Sequence, residues 1–217
     1  MPRDLEIRYL QNWKHLQNED YLFHSIAYHA APVLRGYRPA AILTFANDRR
    51  RRLHDAWRER RTQFPATPDF QFAELHQDPD QGAEWTAVLF YHPGLLQEVL
   101  RDKQAAVFLR SLGYREELTV ATALADLAAR YAAGCPHEIG LFLGIPLPDV
   151  LGFIRYGGKG ALADGYWKVY HDPGRKQALF ALFYEAKLEF IRLMLAGIPP
   201  GDYLSGKPLR LAGGTAG

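Results

Sequence analysis

Cysteine is almost absent from this chain. Cys135 is the one thiol in 217 residues, which excludes an intrachain disulfide and any zinc module built from several cysteines. Long apolar runs are missing as well. No stretch approaches the ~18 residues a membrane-spanning helix needs, although 48% of the residues are hydrophobic. Met1-Pro2-Arg3-Asp4 leads into mixed charges without the apolar core of a signal peptide. Net charge is close to balance at +2, so no general attraction to polyanions is implied. These absences predict a cytoplasmic protein outside the membrane, with enough apolar material for one full core.

Nucleotide signatures are also missing. Gly157-Gly158-Lys159-Gly160 has the glycines of a phosphate loop, but no Ser or Thr follows Lys159. The loop also follows a predicted helix where a phosphate loop follows a strand. Backbone N–H groups of such a turn can hold an anion, yet a plain flexible turn is the expectation. Neither a dinucleotide fingerprint nor a Gly-x-Ser-x-Gly elbow is present.

What the chain does have is a concentrated basic run. Residues 48–61 carry seven basic and three acidic side chains, with Arg49 to Arg52 unbroken. Leu53, Trp57 and Phe64 give this segment a sparse apolar edge at helical spacing. A solvated amphipathic helix is expected. Phosphate contact is the competing reading, but nothing adjacent resembles an RNA-binding aromatic signature or a helix-turn-helix, so a nucleic-acid partner is not expected.

The second concentration is chemical: Cys135-Pro136-His137-Glu138-Ile139-Gly140 places a thiol, an imidazole and a carboxylate within four residues. Gly134 ends an alanine-rich stretch, and Pro136 suits the first turn of a helix. Cys135 is then predicted at the N-cap, with Glu138 reaching back to its N–H as in a capping box. A thiol so placed faces free N–H groups and the positive end of the helix dipole. A buried structural cap and a chemically used thiolate are both compatible with the spacing.

Elsewhere the pattern alternates between helix and strand. Helices are predicted from 4 to 16, from Asp20 to the Pro32–Gly36 break, over Gly94–Lys103 and Arg115–Ala133, over Pro136–Leu143, from Pro148, and after Asp172-Pro173. Strands are predicted over Ala40–Ala46, over a hairpin of Phe70–His76 and Glu84–Tyr91 turning through Asp78–Gly82, and over Gly165–Tyr170. The expected fold is α+β: a small mixed sheet of about four strands covered by helices, with an all-helical middle segment. One domain is predicted over residues 1–204, with a flexible tail from 205 to 217.

Three blocks carry a family resemblance. They are His29-Ala30-Ala31-Pro32 with Leu34, Gly36 and Pro39; Cys135 to Gly144 with Pro146-Leu147 and Asp149 to Ile154; and Gly165-Tyr166-Trp167-Lys168-Val169-Tyr170. Together they resemble the bacterial family known as domain of unknown function 3793, found largely in anaerobes. Such relatives usually read Leu-Gly-Tyr-Pro where this chain reads Leu143-Gly144-Ile145-Pro146. The resemblance implies no particular reaction.

Function must therefore be read from the residues. A thiolate of Cys135 would take His137 or His29 as its base, with Glu138 as a further catalytic candidate. A metal site could combine Cys135, His137 and His29, or use Glu138 as ligand, an S/N/O set that zinc or iron accepts. Cys135-Pro136 also matches a dipeptide through which cysteine contacts haem. His29 shares an apolar helical face with Ile26, where a satisfied core histidine is the plainer reading. Tyr166 and Trp167 could wall a flat ligand pocket, and Lys168, on the opposite strand face, could meet an anionic substrate. Two functions follow. One is a binding role for a small ligand, metal or redox cofactor centred on Cys135 and His137, with a small molecule or redox protein as partner. The other is a non-catalytic adaptor in which the Cys-Pro-His-Glu block is a helix cap.

Overall fold

In the computed structural model, which describes residues 2–77 and 85–206, the uncharged run Ala40–Ala46 is strand β1. Strands β2 (Gln71–Gln77) and β3 (Trp85–Tyr91) complete an antiparallel sheet in the order β1-β3-β2. The sheet is antiparallel throughout rather than mixed. Its turn over Asp78–Gly82 lies outside the described residues. A bulge between Glu74 and His76 breaks the expected alternation of β2, and Leu75 turns into the core while His76 stacks on Trp85 at 4.1 Å between ring centroids.

β3 is apolar on both faces, and helices cover both. Val88 and Phe90 face α1 (Pro2–Asn12), α2 (Asn18–Leu34), α3 (Leu53–Arg60) and the C-terminal helices α9 (Pro173–Leu195) and α10 (Pro200–Leu204). Ala87 and Leu89 face the middle segment: α4 (Pro93–Arg101), α5 (Lys103–Ser111), α6 (Val120–Tyr131), α7 (Ile139–Phe142) and α8 (Leu147–Tyr156). The helical middle is thus one layer, and the chain's two ends form the other. Burying each large apolar side chain against β3 contributes about 1.5–3 kcal/mol.

The basic helix is docked through its apolar edge. Trp57 on α3 is 1% exposed and is ringed by Phe45, Phe72 and Phe90 at 5.3, 5.0 and 5.7 Å between ring centroids. Its indole N–H donates to Glu74 at 2.6 Å, and Arg61 pairs with the same carboxylate. Arg51 donates to the Trp13 and Leu16 carbonyls at 2.7 and 2.8 Å while its guanidinium lies 3.8 Å from the Tyr21 ring centroid. Arg60 pairs with Glu19. Arg51, Arg60 and Arg61 therefore tie this segment to its neighbours.

Several boundaries differ from expectation for local reasons. Asp20 lies in the first turn of α2 rather than capping it, and Pro32 is accommodated inside that helix. Gly36 (φ 69) closes α2 two residues past Leu34: the Tyr37 N–H reaches the Pro32 carbonyl and the Gly36 N–H the Val33 carbonyl, the paired bonds of a Schellman closure. The helix expected over Gly94–Lys103 closes at Arg101, and a second begins at Lys103. Asp102 turns the chain between them and accepts from the Gln104 and Ala105 N–H groups. α5 falls in the middle segment expected to be helical, without bounds of its own, and α10 was not expected. The Gly165–Tyr170 segment is not a full strand: only Lys168–Val169 (β5) pairs, with Ala163–Asp164 (β4), in a ribbon separate from the main sheet. Gly157 (φ 59) closes α8 as a left-handed cap, so the glycine loop begins as a helix stop. Among the described residues, no helix is long and apolar enough to cross a membrane.

Two glycines let the layers approach. A Cβ on Gly144 (φ 77) would fall 2.6 Å from Pro39, and one on Gly152 would overlap the Tyr170 ring. Because Tyr170 stacks on Tyr156, it has little room to retreat. Gly152→Ala is expected to cost about 1–3 kcal/mol of stability by overpacking. Urea denaturation of the two proteins measures it, and an unchanged midpoint would show that the ribbon can shift away.

Candidate functional site

α7 and α8 meet at a sharp corner, because α7 is four residues long and closes at Gly144. Arg38 holds that corner by donating from Nε to the Leu143 carbonyl at 2.9 Å. Opposite α8, the three residues Gly165-Tyr166-Trp167 turn the β4–β5 ribbon. Trp167 stands edge-on to Phe180 of α9 at 4.5 Å between centroids. The space between corner and ribbon is a cleft of about 440 Å³.

One buried carboxylate fixes the two walls together. Asp149, near the start of α8, is 1% exposed. Its Oδ2 accepts from the Trp167 indole at 2.9 Å, and its Oδ1 accepts from the Tyr170 and His171 N–H groups at 2.8 and 2.9 Å. Three N–H donors satisfy the carboxylate, which makes no ion pair among the described residues. The sequence pattern did not assign Asp149 a role, since an acid soon after a proline usually serves the first turn of a helix in water. Its position within the Asp149–Ile154 block was the available signal.

The cleft gathers most of the chemical candidates. Cys135 and His137 line it from the corner side, Tyr166, Trp167 and Lys168 from the ribbon side, and Ile145, Val150 and Phe153 form apolar wall between them. Trp167 and Lys168 both border the cleft. Lys168 is paired with Asp164 across the ribbon. The His137 ring lies 5.5 Å from that of Phe153. Cys135 is exposed and also borders a second depression of about 480 Å³ with Arg130 and Ala133. Burial, and after it the neighbouring Cys135 thiol, raise the pKa of Tyr131.

The predicted cap does not form. Residues 135–138 make a turn in which the Ile139 N–H bonds the Pro136 carbonyl and the Gly140 N–H the His137 carbonyl, and α7 begins only at Ile139. Glu138 turns away from the Cys135 N–H and into the protein. It is 4% exposed, ion-paired with Arg130 of α6 and within 3.4 Å of the Tyr114 hydroxyl. The buried Tyr114 hydroxyl and the partly exposed Arg130 guanidinium outcompete one backbone N–H. Glu138 is thus removed from the cleft and holds the turn in place.

His29 is elsewhere. It stands exposed on α2 at the edge of a groove of about 270 Å³ beside β1, together with Tyr21 and Ser25. Surrounding protein, and then the Lys187 ammonium, lower its pKa. It neither serves Cys135 as a base nor joins it as a ligand. Among the described residues, no group of three or more His, Cys, Asp or Glu side chains is placed to hold a metal ion, which removes the Cys135/His137/His29 metal trio. Cys135 and His137 make no hydrogen bond with one another.

A family model matches residues 26–202, which include all three blocks. The chain belongs to the family described as protein of unknown function (DUF3793). No curated protein and no solved structure matches it. In this DUF3793 protein the three blocks converge: Pro39 rests on Gly144, Arg38 holds Leu143, and Asp149 holds Trp167. Ile145, where the resemblance expects tyrosine, lines the cleft, so that difference falls on the cavity wall.

Two outcomes follow from this geometry. Asp149→Ala leaves three donors unpaired and is expected to cost about 3 kcal/mol, measured by denaturation, with a shift in tryptophan emission as Trp167 loosens. Cys135 is expected to react with a thiol-specific chromogenic disulfide in the native state at one equivalent per chain. Cys135→Ser should change stability by under about 0.5 kcal/mol, as for a surface site.

Proposed function

We propose that the protein binds a small, flat, mainly apolar ligand in the cleft between the α7–α8 corner and the ribbon, with Cys135 and His137 at its mouth. One observation carries this reading: chemical residues from two segments some 30 positions apart line a single cavity whose walls are joined by a buried carboxylate. Apolar wall supplies affinity while few polar groups set orientation, as in small-molecule sites generally. Lys168 and Asp164 offer charges at the ribbon side, and Trp167 offers an aromatic edge. Cys135 is the group able to form a covalent bond with whatever enters, and His137 is the titratable neighbour along the same wall. Glu138, Arg130 and Tyr114 support a structural share for the block, because they hold the turn from behind.

The single thiol makes the proposal testable without knowing the ligand. The protein is equilibrated with cystamine or with a naphthyl disulfide under graded 2-mercaptoethanol, and capture at Cys135 is read by intact mass. Naphthyl capture is expected to survive about tenfold more reductant, the ratio given by ~1.4 kcal/mol of apolar contact. Phe153→Ser, at a half-exposed wall position, should erase that preference. Equal capture of both disulfides by the native protein would sink the ligand-site reading and leave a structural corner.

A further inference from the structure

Behind the Tyr166 wall of the cleft, between α2, α9 and the ribbon, two half-buried cations stand without an anionic partner of their own. The Lys187 ammonium lies 4.7 Å from the Tyr28 ring centroid and 5.0 Å from that of Tyr166. Among the described residues it makes no ion pair and no hydrogen bond. The Arg38 guanidinium lies 5.7 Å from the centroid of Phe183, one turn before Lys187 on α9. Arg38 spends its Nε on the Leu143 carbonyl. Its two terminal nitrogens keep no partner among the described residues, and they form the end of the fork that fits an oxyanion in bidentate fashion. The Tyr166 ring lies 5.2 Å from Phe183, the ring that Arg38 faces, and 5.0 Å from the Lys187 ammonium, and its hydroxyl is likewise without a partner among the described residues.

The local charge does not balance. Glu6 of α1 is the carboxylate that acts on Lys187 and Tyr166, and it accepts the Tyr28 hydroxyl. Two cations against one such anion leave an excess of positive charge in a place where burial disfavours it. Burial depresses both basic groups: Arg38 to about 10, and Lys187 below its usual value, with Arg38 adding to that depression. His29 adds no compensating charge. An incoming anion would remove the imbalance and meet donors already in place.

We propose that Arg38, Lys187 and Tyr166 together bind an oxyanion group of a small ligand, carried as a phosphate or as a carboxylate. The site lies behind the cleft and shares the Tyr166 ring with it, but neither Cys135 nor the apolar walls take part, so disulfide capture at Cys135 tests the cleft separately. Thermal unfolding is followed with inorganic phosphate, with acetate, and with chloride at matched ionic strength. Saturable stabilisation by phosphate or acetate over chloride is expected, since a ligand of the native state raises the melting temperature. Stabilisation by phosphate alone assigns a phosphoryl group, and by acetate alone a carboxylate. Lys187→Met and Arg38→Met should each weaken the apparent affinity at least tenfold, whereas Lys187→Arg should keep most of it. Tyr166→Phe removes only the hydroxyl and supplies the readout if the methionine variants do not fold, with a threefold or greater loss expected. The proposal is overturned if neither anion stabilises beyond chloride. It is equally overturned if the response persists in Lys187→Met or, where that variant does not fold, in Tyr166→Phe, because Lys187 then merely rests its stem on two aromatic rings.

Discussion

β3 has no free side. Both of its edges are hydrogen-bonded, to β1 and β2, and Ala87, Val88, Leu89 and Phe90 are fully buried between two helical layers. A strand so placed leaves the chain few routes. α1 to α3 gather on one face, the five helices after β3 cover the other, and α9 must return to the first. The β4–β5 ribbon is where that return happens, between α8 and α9. A chain crossing between layers cannot satisfy its backbone within a regular sheet, so Asp149 supplies the acceptors. The cleft is a product of the crossing.

Legibility in the sequence followed the range of the interactions concerned. β1 was readable from an uncharged apolar run, and the β2–β3 hairpin from alternation, because those signals are local. Trp57 looked like a sparse helix edge, and only the rings of Phe45, Phe72 and Phe90 make it a core anchor. The helix cap at Cys135 had the right local letters. It failed because Arg130, two turns back on the preceding helix, and Tyr114 beyond it offer Glu138 better partners than the Cys135 N–H. The restart of the helix after Asp102 was hidden for the reverse reason: a short acidic side chain inside a helical pattern reads as surface until its acceptor bonds are seen.

The candidate site divided in the same way. Cys135, His137, Tyr166, Trp167 and Lys168 were found from residue type and block position, and the fold brings them to one cavity. His29 was not excluded by anything in the pattern, since only the path of α2 shows that it faces another groove. The walls that give the cleft its shape, Val150 and Phe153, carry no chemical signature at all. Tyr166 has a double position, with the cleft on one side and the Arg38–Lys187 pair on the other.

The run from Cys135 to Ile139 looks like one motif in the sequence, but its side chains part company. Cys135 and His137 look outward, while Glu138 and Ile139 are buried. The inward pair works as a root and the outward pair as a tool mounted on it. Two relatives could share the root, and so the entire corner, while carrying different tools at positions 135 and 137. A shared fold would then say little about a shared reaction.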